Sequence, residues 1–330
     1  MKDKLSIVVP AYNEEGNVRP LYDRLKAALA SISPKLKSAE IIFVDDGSTD
    51  GTVLRLMEIQ DKDPDVKIVR LIRNQGHEVA MVAGMNYAQG DAVVFMDADL
   101  QHPPELVPEM VRLWRGGKDI VLTRRTDNAG AGVIYKVCAG IFYRVLNFLS
   151  DVKLPRNMPD FRLIDARYIG YLKAFDERDF MFRGVLGMIT PLDMENAAVI
   201  DFAAPARLSG KSQYNFFKSL KLAINGIMQF STRPLYLSLW LAIVSGFLAF
   251  GLGVHVIIEK YILDNPTPGY ATIVTAVVMM GSLNLFILAI IGAYIGKIHI
   301  ETKKRPLYMA ELVEPRTRDR KDDGKNNKRG

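Results

Sequence analysis

Two stretches of this sequence, residues 235–258 and 270–296, run almost free of charge, and they constrain the fold before anything else does. Each exceeds the roughly 20 apolar residues that a helix needs to cross the hydrocarbon core of a bilayer. Helices buried against a soluble core normally keep a polar face, and neither stretch has one over its length. Only "EKYILDNPTPG" lies between them, so they predict a membrane hairpin that returns the chain to its starting side. Gly246, Gly251 and Gly253 in the first span, and Gly281, Gly292 and Gly296 in the second, permit close helix approach and make a homo-oligomer a natural expectation.

Charge predicts the side. Arg233 precedes the first span and Lys297, Lys303, Lys304 and Arg305 follow the second. Basic residues near span ends stay in the cytoplasm. A multi-pass inner-membrane protein is expected, with both termini cytoplasmic and part of the net charge of +6 against anionic headgroups. The tail "RTRDRKDDGKNNKRG" has little to bury and is expected to be disordered. The opening "MKDKLSIVVPAYNEE" holds only a brief apolar run that ends at Pro10, which predicts no signal peptide. A single cysteine, Cys138, excludes an intramolecular disulfide and a cysteine-based metal cluster.

Upstream of the spans, buried-strand patterns alternate with helical ones. "LSIVVPAYNEE" ends a strand at Pro10 and leads to "VRPLYDRLKAALASI", with apolar residues at helical spacing. "AEIIFVDDGSTDGT" is a second strand, followed by the helical "TVLRLMEIQDKD". "VKIVRLIRN" is a third, "GHEVAMVAGMNYAQG" a helix, and "DAVVFMDADLQ" a fourth strand. This alternation predicts an α/β fold with a mainly parallel sheet covered on both faces. Ligands of such sheets bind beyond the carboxyl ends of the strands. Three of these ends carry chemistry: Pro10 to Glu14, Asp45-Asp46-Gly47-Ser48, and Asp97-Ala98-Asp99. Pro103-Pro104 are expected to stop the fourth strand and shape a loop over the site.

Neither a Gly-rich dinucleotide fingerprint nor a GxxxxGK[ST] loop is present, so backbone amides alone do not cradle a nucleotide. Acids stand where glycines would be, and a divalent cation is the natural bridge from them to a diphosphate. Oxygen ligands favour Mg2+ or Mn2+. The four histidines, His77, His102, His255 and His299, show no ligand spacing, and His102 reads as a packing residue or a support for the metal loop.

"IVVPAYNEE", "IIFVDDGSTDGT", "RNQGHEVAMVAGMNYAQGDAVVFMDADLQHPPE", "DIVLTRR", "MPDFRLID" and "ARLSGKSQYNF" together closely resemble the polyprenyl-phosphate glycosyltransferases of family 2, whose catalytic domain has the GT-A fold. The similarity covers nearly the whole chain before the tail. It implies a nucleotide-sugar donor, a polyprenyl-phosphate acceptor such as undecaprenyl phosphate, a bilayer around the spans, no nucleic acid, and inverting transfer of a single sugar. UDP-glucose is slightly preferred as donor, GDP-mannose and UDP-GlcNAc are alternatives, and a catalytically silent scaffold that keeps the fold is the rival from another class. By motif, the resemblance places Pro10, Tyr12, Glu14 and Asp46 around the nucleotide and Asp97, Asp99 and Gln101 at the metal, with Asp97 also serving the donor. It sets Arg125 near the diphosphate, Asp160 with Arg162 near sugar and acceptor, and Arg207, Lys211 and Ser212 at the acceptor phosphate. Asp99, Asp160 and Arg207 are the residues expected to carry catalysis. Where relatives commonly have a lysine, this chain has Gln213, and Lys211 is expected to supply the charge from two residues earlier.

The resulting organisation is a catalytic domain over 1–214, an interfacial helix over 215–232, the two spans within 233–299 and a basic tail over 300–330. "GVIYKVCAGIFYRVLNFLS" and "YNFFKSLKLAINGIMQFSTR" mix apolar faces with Lys and Arg, as helices lying in a membrane interface do.

Overall fold

The computed structural model describes residues 3–126, 158–175, 196–203, 231–261 and 269–315. Both stretches expected to lie in the membrane interface fall outside the described residues, apart from the last three residues of the second, and so do Cys138 and the tail beyond 315. The described residues form two compact units, one built on a sheet and including 306–315, the other comprising 231–261 and 269–305.

The sheet unit begins with β1 (Lys4–Ala11), α1 (Val18–Ala30), β2 (Ser38–Asp45), α2 (Thr52–Gln60), β3 (Val66–Leu71), α3 (His77–Tyr87) and β4 (Ala92–Phe95). α4 (Val107–Arg115), β5 (Ile120–Arg125), β6 (Arg162–Asp165), α5 (Ala166–Ala174), β7 (Ala197–Phe202) and β8 (Ala310–Val313) follow. The strand order is β7-β5-β6-β4-β1-β2-β3-β8. Its central run β4-β1-β2-β3 is parallel throughout, as the strand–helix alternation requires. β6 enters antiparallel between β4 and β5, and β8 closes the far edge antiparallel to β3.

The strands are apolar along their length because both faces are covered. β1 is buried from Leu5 to Ala11, and β4 is buried at every residue. α3 lies so close to the sheet that a Cβ on Gly84 would stand 2.3 Å from Val8 Cγ1 and 2.9 Å from Val44 Cγ2. Trp114 of α4, the largest fully buried side chain, donates its indole N–H to Asp165 Oδ2 at 2.8 Å. That bond satisfies the donor that burial would otherwise strand.

Two expectations are corrected. β4 ends at Phe95, eight residues before Pro103, so the prolines do not stop it; Pro104 instead opens a 3-10 turn, Pro104–Leu106, that leads into α4. A proline suits that place because the first N–H groups of a helix have no partner within it. Residues 310–313, expected within a tail, form β8. Gln60 Nε2 donates to Val313 O at 3.0 Å, Ile72 N to Met309 O at 3.1 Å, and Asn86 Nδ2 to the Tyr308 hydroxyl at 2.9 Å.

The second unit holds α6 (Arg233–Tyr261, 29 residues) and α7 (Tyr270–Thr302, 33 residues). At 1.5 Å per residue they are about 43 and 50 Å long, more than the roughly 30 Å of a hydrocarbon core. Within 233–255 and 273–302, the most apolar 18-residue windows have mean hydropathies of 2.1 and 2.3, and almost none of either window is buried. Phe247, Phe250 and Leu285 are 70–74% exposed, which core helices of a soluble protein would not allow. The two helices are tied at one end, where the Tyr294 hydroxyl donates to Ser231 O at 2.8 Å.

Candidate active site

Because β1, β2 and β4 are parallel and in register, with Ala11 opposite Asp45 and Val8 opposite Phe95, their carboxyl ends share one edge of the sheet. A cleft of about 280 Å3 opens there. Pro10, Tyr12, Glu14, Asp46, Asp97 and Asp99 line it, together with Asn74, Gly76, His77 and Ala80. Six of the site residues expected from sequence are therefore brought together.

Hydrogen bonds across the strand ends hold the walls. Asn13, at φ +56°, accepts from Thr49 N at 2.8 Å and its own N–H donates to Ser48 Oγ at 3.0 Å. Glu14 N donates to Thr52 Oγ1 at 2.8 Å, and the Glu14 carboxylate accepts from Asn17 Nδ2 at 2.5 Å. Asp46 is buried and takes the backbone N–H groups of Gln75 and Gly76 at 2.7 and 2.9 Å. Burial raises its pKa above the usual carboxylate value, against the opposing pull of those amides. Gly47 adopts φ +70°, and a Cβ there would meet the backbone of Arg73 and Asn74 at 2.7 Å. The β2 and β3 exits thus fit only around a glycine.

Asp97 and Asp99 follow β4. Asp97 Oδ1 lies 2.6 Å from His77 Nε2, and the Asp97 main-chain N–H donates to His102 Nδ1 at 2.9 Å. His102 is buried and stacked on Phe161 at 5.1 Å, the supporting place expected of it. Desolvation by the cleft wall opposes a charge on the partly exposed His77, but the charge and hydrogen bond of Asp97, with Asp160 and Glu78 further off, prevail and raise its pKa to about 9. Asp99 Oδ1 accepts from Gln101 N at 3.0 Å.

Among the described residues no three His, Cys, Asp or Glu side chains converge as a metal cage. Two hard carboxylates on one wall instead suit an ion that takes one or two protein oxygens and completes its shell with water and substrate phosphate. The donor set fits Mg2+ or Mn2+ on those terms.

Other expected residues lie elsewhere. Gln101 reaches Asp99 through its backbone and is not on the cleft wall. Arg125 ends β5 away from that wall, and its buried Nε has no hydrogen-bond partner among the described residues. Asp160 and Arg162 form an ion pair with both side chains buried. Arg207, Lys211 and Ser212, with Gln213, fall outside the described residues.

His77 and Asn74 are the residues that sequence reasoning passed over. The β3 exit carries no acid, unlike the other three, and His77 meets a partner 20 positions away. The available signal was positional: "RNQGH" also follows a strand and precedes a helix.

The model of glycosyl transferase family 2 matches residues 6–171, a span that runs from β1 into α5 and contains the whole cleft. An uncharacterized glycosyltransferase of Bacillus subtilis, YkcC, is 37% identical over 306 residues, 93% of each chain. The bactoprenol glucosyl transferase of Shigella phage SfV is 33% identical over 93% of this chain and 97% of its own. A prophage bactoprenol glucosyl transferase homolog of Escherichia coli is 32% identical over 94% of this chain and 99% of its own. Among solved structures, glucosyl-3-phosphoglycerate synthase from Mycobacterium tuberculosis overlaps 68% of this chain and 78% of its own at 18% identity, with a TM-score of 0.45. A mixed sheet with a parallel centre, a cleft at its strand ends and a family match over that whole region identify the chain as a GT-A glycosyltransferase belonging to family 2.

Proposed function

We propose that this enzyme transfers one sugar, with UDP-glucose as preferred donor, to the phosphate of a polyprenyl phosphate at the cytoplasmic membrane face, with inversion at the anomeric carbon. One observation carries the reading: an acid-lined donor cleft and two exposed apolar helices occupy the same chain. A soluble acceptor would give those helices no role. The relatives named bactoprenol glucosyl transferase align along nearly their full length, spans included, and support both lipid acceptor and glucose. Undecaprenyl phosphate is the acceptor we infer.

In this reading Tyr12, Glu14 and Asp46 hold the nucleoside, and Asp97 and Asp99 face the diphosphate. Asp97 and Asp99 would hold Mg2+ or Mn2+, which would supply positive charge to offset that of the departing nucleoside diphosphate. Gln101 supports Asp99 through its backbone N–H. The lipid phosphate needs orientation more than deprotonation, because a phosphate monoester with a second pKa of about 6 is already mostly ionised near neutrality. Arg207, Lys211 and Ser212 receive it and offset the repulsion between two anions. Asp160, held by Arg162, orients the acceptor and does not need to take a proton. Fixing both reactants recovers much of the orientational entropy of a bimolecular step.

The test is transfer in liposomes with purified protein, undecaprenyl phosphate, Mg2+ or Mn2+, and a panel of UDP- and GDP-sugars, with lipid products read by mass spectrometry. A glucosyl lipid that disappears with chelator and with Asp99→Ala is expected. A product with mannose or N-acetylglucosamine alone would correct the donor, and nucleotide binding without any product would favour the silent scaffold.

A further inference from the structure

His77 opens α3 on the cleft wall, 42% of its side chain exposed, with Nε2 at 2.6 Å from Asp97 Oδ1. An ionised carboxylate only accepts, so Nε2 carries the proton and donates. Asp97 is also gripped from within the fold. Its main-chain N–H is bound by His102 Nδ1, and His102 Nε2 stands 3.7 Å from Asp97 Oδ2. His102, buried, stacked on Phe161 and in T-shaped contact with Phe202, is fixed in place. Asp97 is thus bracketed by two imidazoles, one locked in the core and one on the surface of the cleft. The surface bond joins two separate elements, the start of α3 and the exit of β4.

We propose that His77 is a positioning residue for Asp97, holding its carboxylate in the orientation that meets the cation of a nucleoside-diphosphate donor. The inference rests on the donor reading above. A carboxylate offers about four acceptor sites, so a bond from His77 and an ion on the same group are compatible. Without that bond, a partly exposed side chain between strand and loop would have to be ordered by the ligand itself, at the cost of affinity.

The experiment uses the full chain in detergent and follows free Mn2+ by electron paramagnetic resonance as it is titrated with UDP present. UDP binding without metal is measured beside it by calorimetry. His77→Ala is expected to weaken Mn2+ uptake roughly 10- to 100-fold, the range for residues that orient metal-bound side chains. Metal-free UDP binding and melting temperature should stay near wild type. His77→Gln, which keeps an N–H donor, should recover most of the loss. Wild-type Mn2+ affinity in His77→Ala overturns the proposal while leaving the donor reading intact. An equal loss of metal-free UDP binding also overturns it, making His77 a direct ligand contact. No Mn2+ uptake by the wild type would sink both readings together.

Discussion

At Gly47 the backbone stands at φ +70° with the main chain of Arg73 and Asn74 where a Cβ would go. Gly47→Ala is expected to destabilise the protein by about 1–3 kcal/mol from left-handed strain alone. It should also displace the loop whose amides hold Asp46, weakening nucleotide binding. Melting in detergent and calorimetric titration with UDP check both, and wild-type values in each would refute the steric account. The buried Asp160–Arg162 pair makes a second prediction. Arg162→Met leaves a buried carboxylate without its cation, a loss of about 3–5 kcal/mol, whereas Asp160→Asn with Arg162→Met should recover much of it. A single variant as heat-stable as the wild type would show the pair to be dispensable. The acids at the exits of β1, β2 and β4 were legible in sequence because each follows an uninterrupted apolar run. His77 was not, since its meaning depends on Asp97 across two elements. Arg125 and Gln101 were named by motif, and the direction of a side chain is set by packing that a motif does not encode.

Among elements, the parallel centre of the sheet could be read from strand–helix alternation, and the two apolar helices from length and charge. β8 could not. It has four residues, two of them exposed along an edge, and its ladder pairs Val313 with Ile68. So short a segment shows no periodicity of its own, and its partner lies far outside any local window. Its contribution can be isolated by truncation. A chain ending at residue 305 loses the β3 ladder and the contacts from Gln60 and Asn86, and should melt several degrees lower, with faster hydrogen exchange along β3. A chain ending at 315 should match the full-length protein. Equal exchange in the two truncations would mean that β8 contributes little. Gly84 belongs to this scale as well: its closeness to Val8 and Val44 predicts that Gly84→Ala overpacks the α3 contact and costs about 1–3 kcal/mol, measured by the same melts.

For the whole molecule, β8 and β1 share one sheet although α6 and α7 lie between them in the chain. If the helices span a bilayer, the chain must cross an even number of times between those strands, as a two-helix hairpin does. A Cys138→Ser background carrying Asp264→Cys, between the helices, or Glu311→Cys, on β8, tests the arrangement. A membrane-impermeant thiol reagent applied to intact cells should label position 264 and reach position 311 only after permeabilisation. The reverse pattern would place the sheet on the outer side. The same connectivity has a consequence in time. About 240 residues are synthesised after Leu71 before Ala310 appears, and at roughly 5–20 residues per second this takes on the order of 10–50 seconds. Throughout that interval, which includes synthesis of both apolar helices, the nascent sheet presents an unpaired β3 edge of the kind that recruits strands from other chains. A message truncated just after the second helix would encode every described residue of the cleft and both apolar helices, yet leave that edge open permanently.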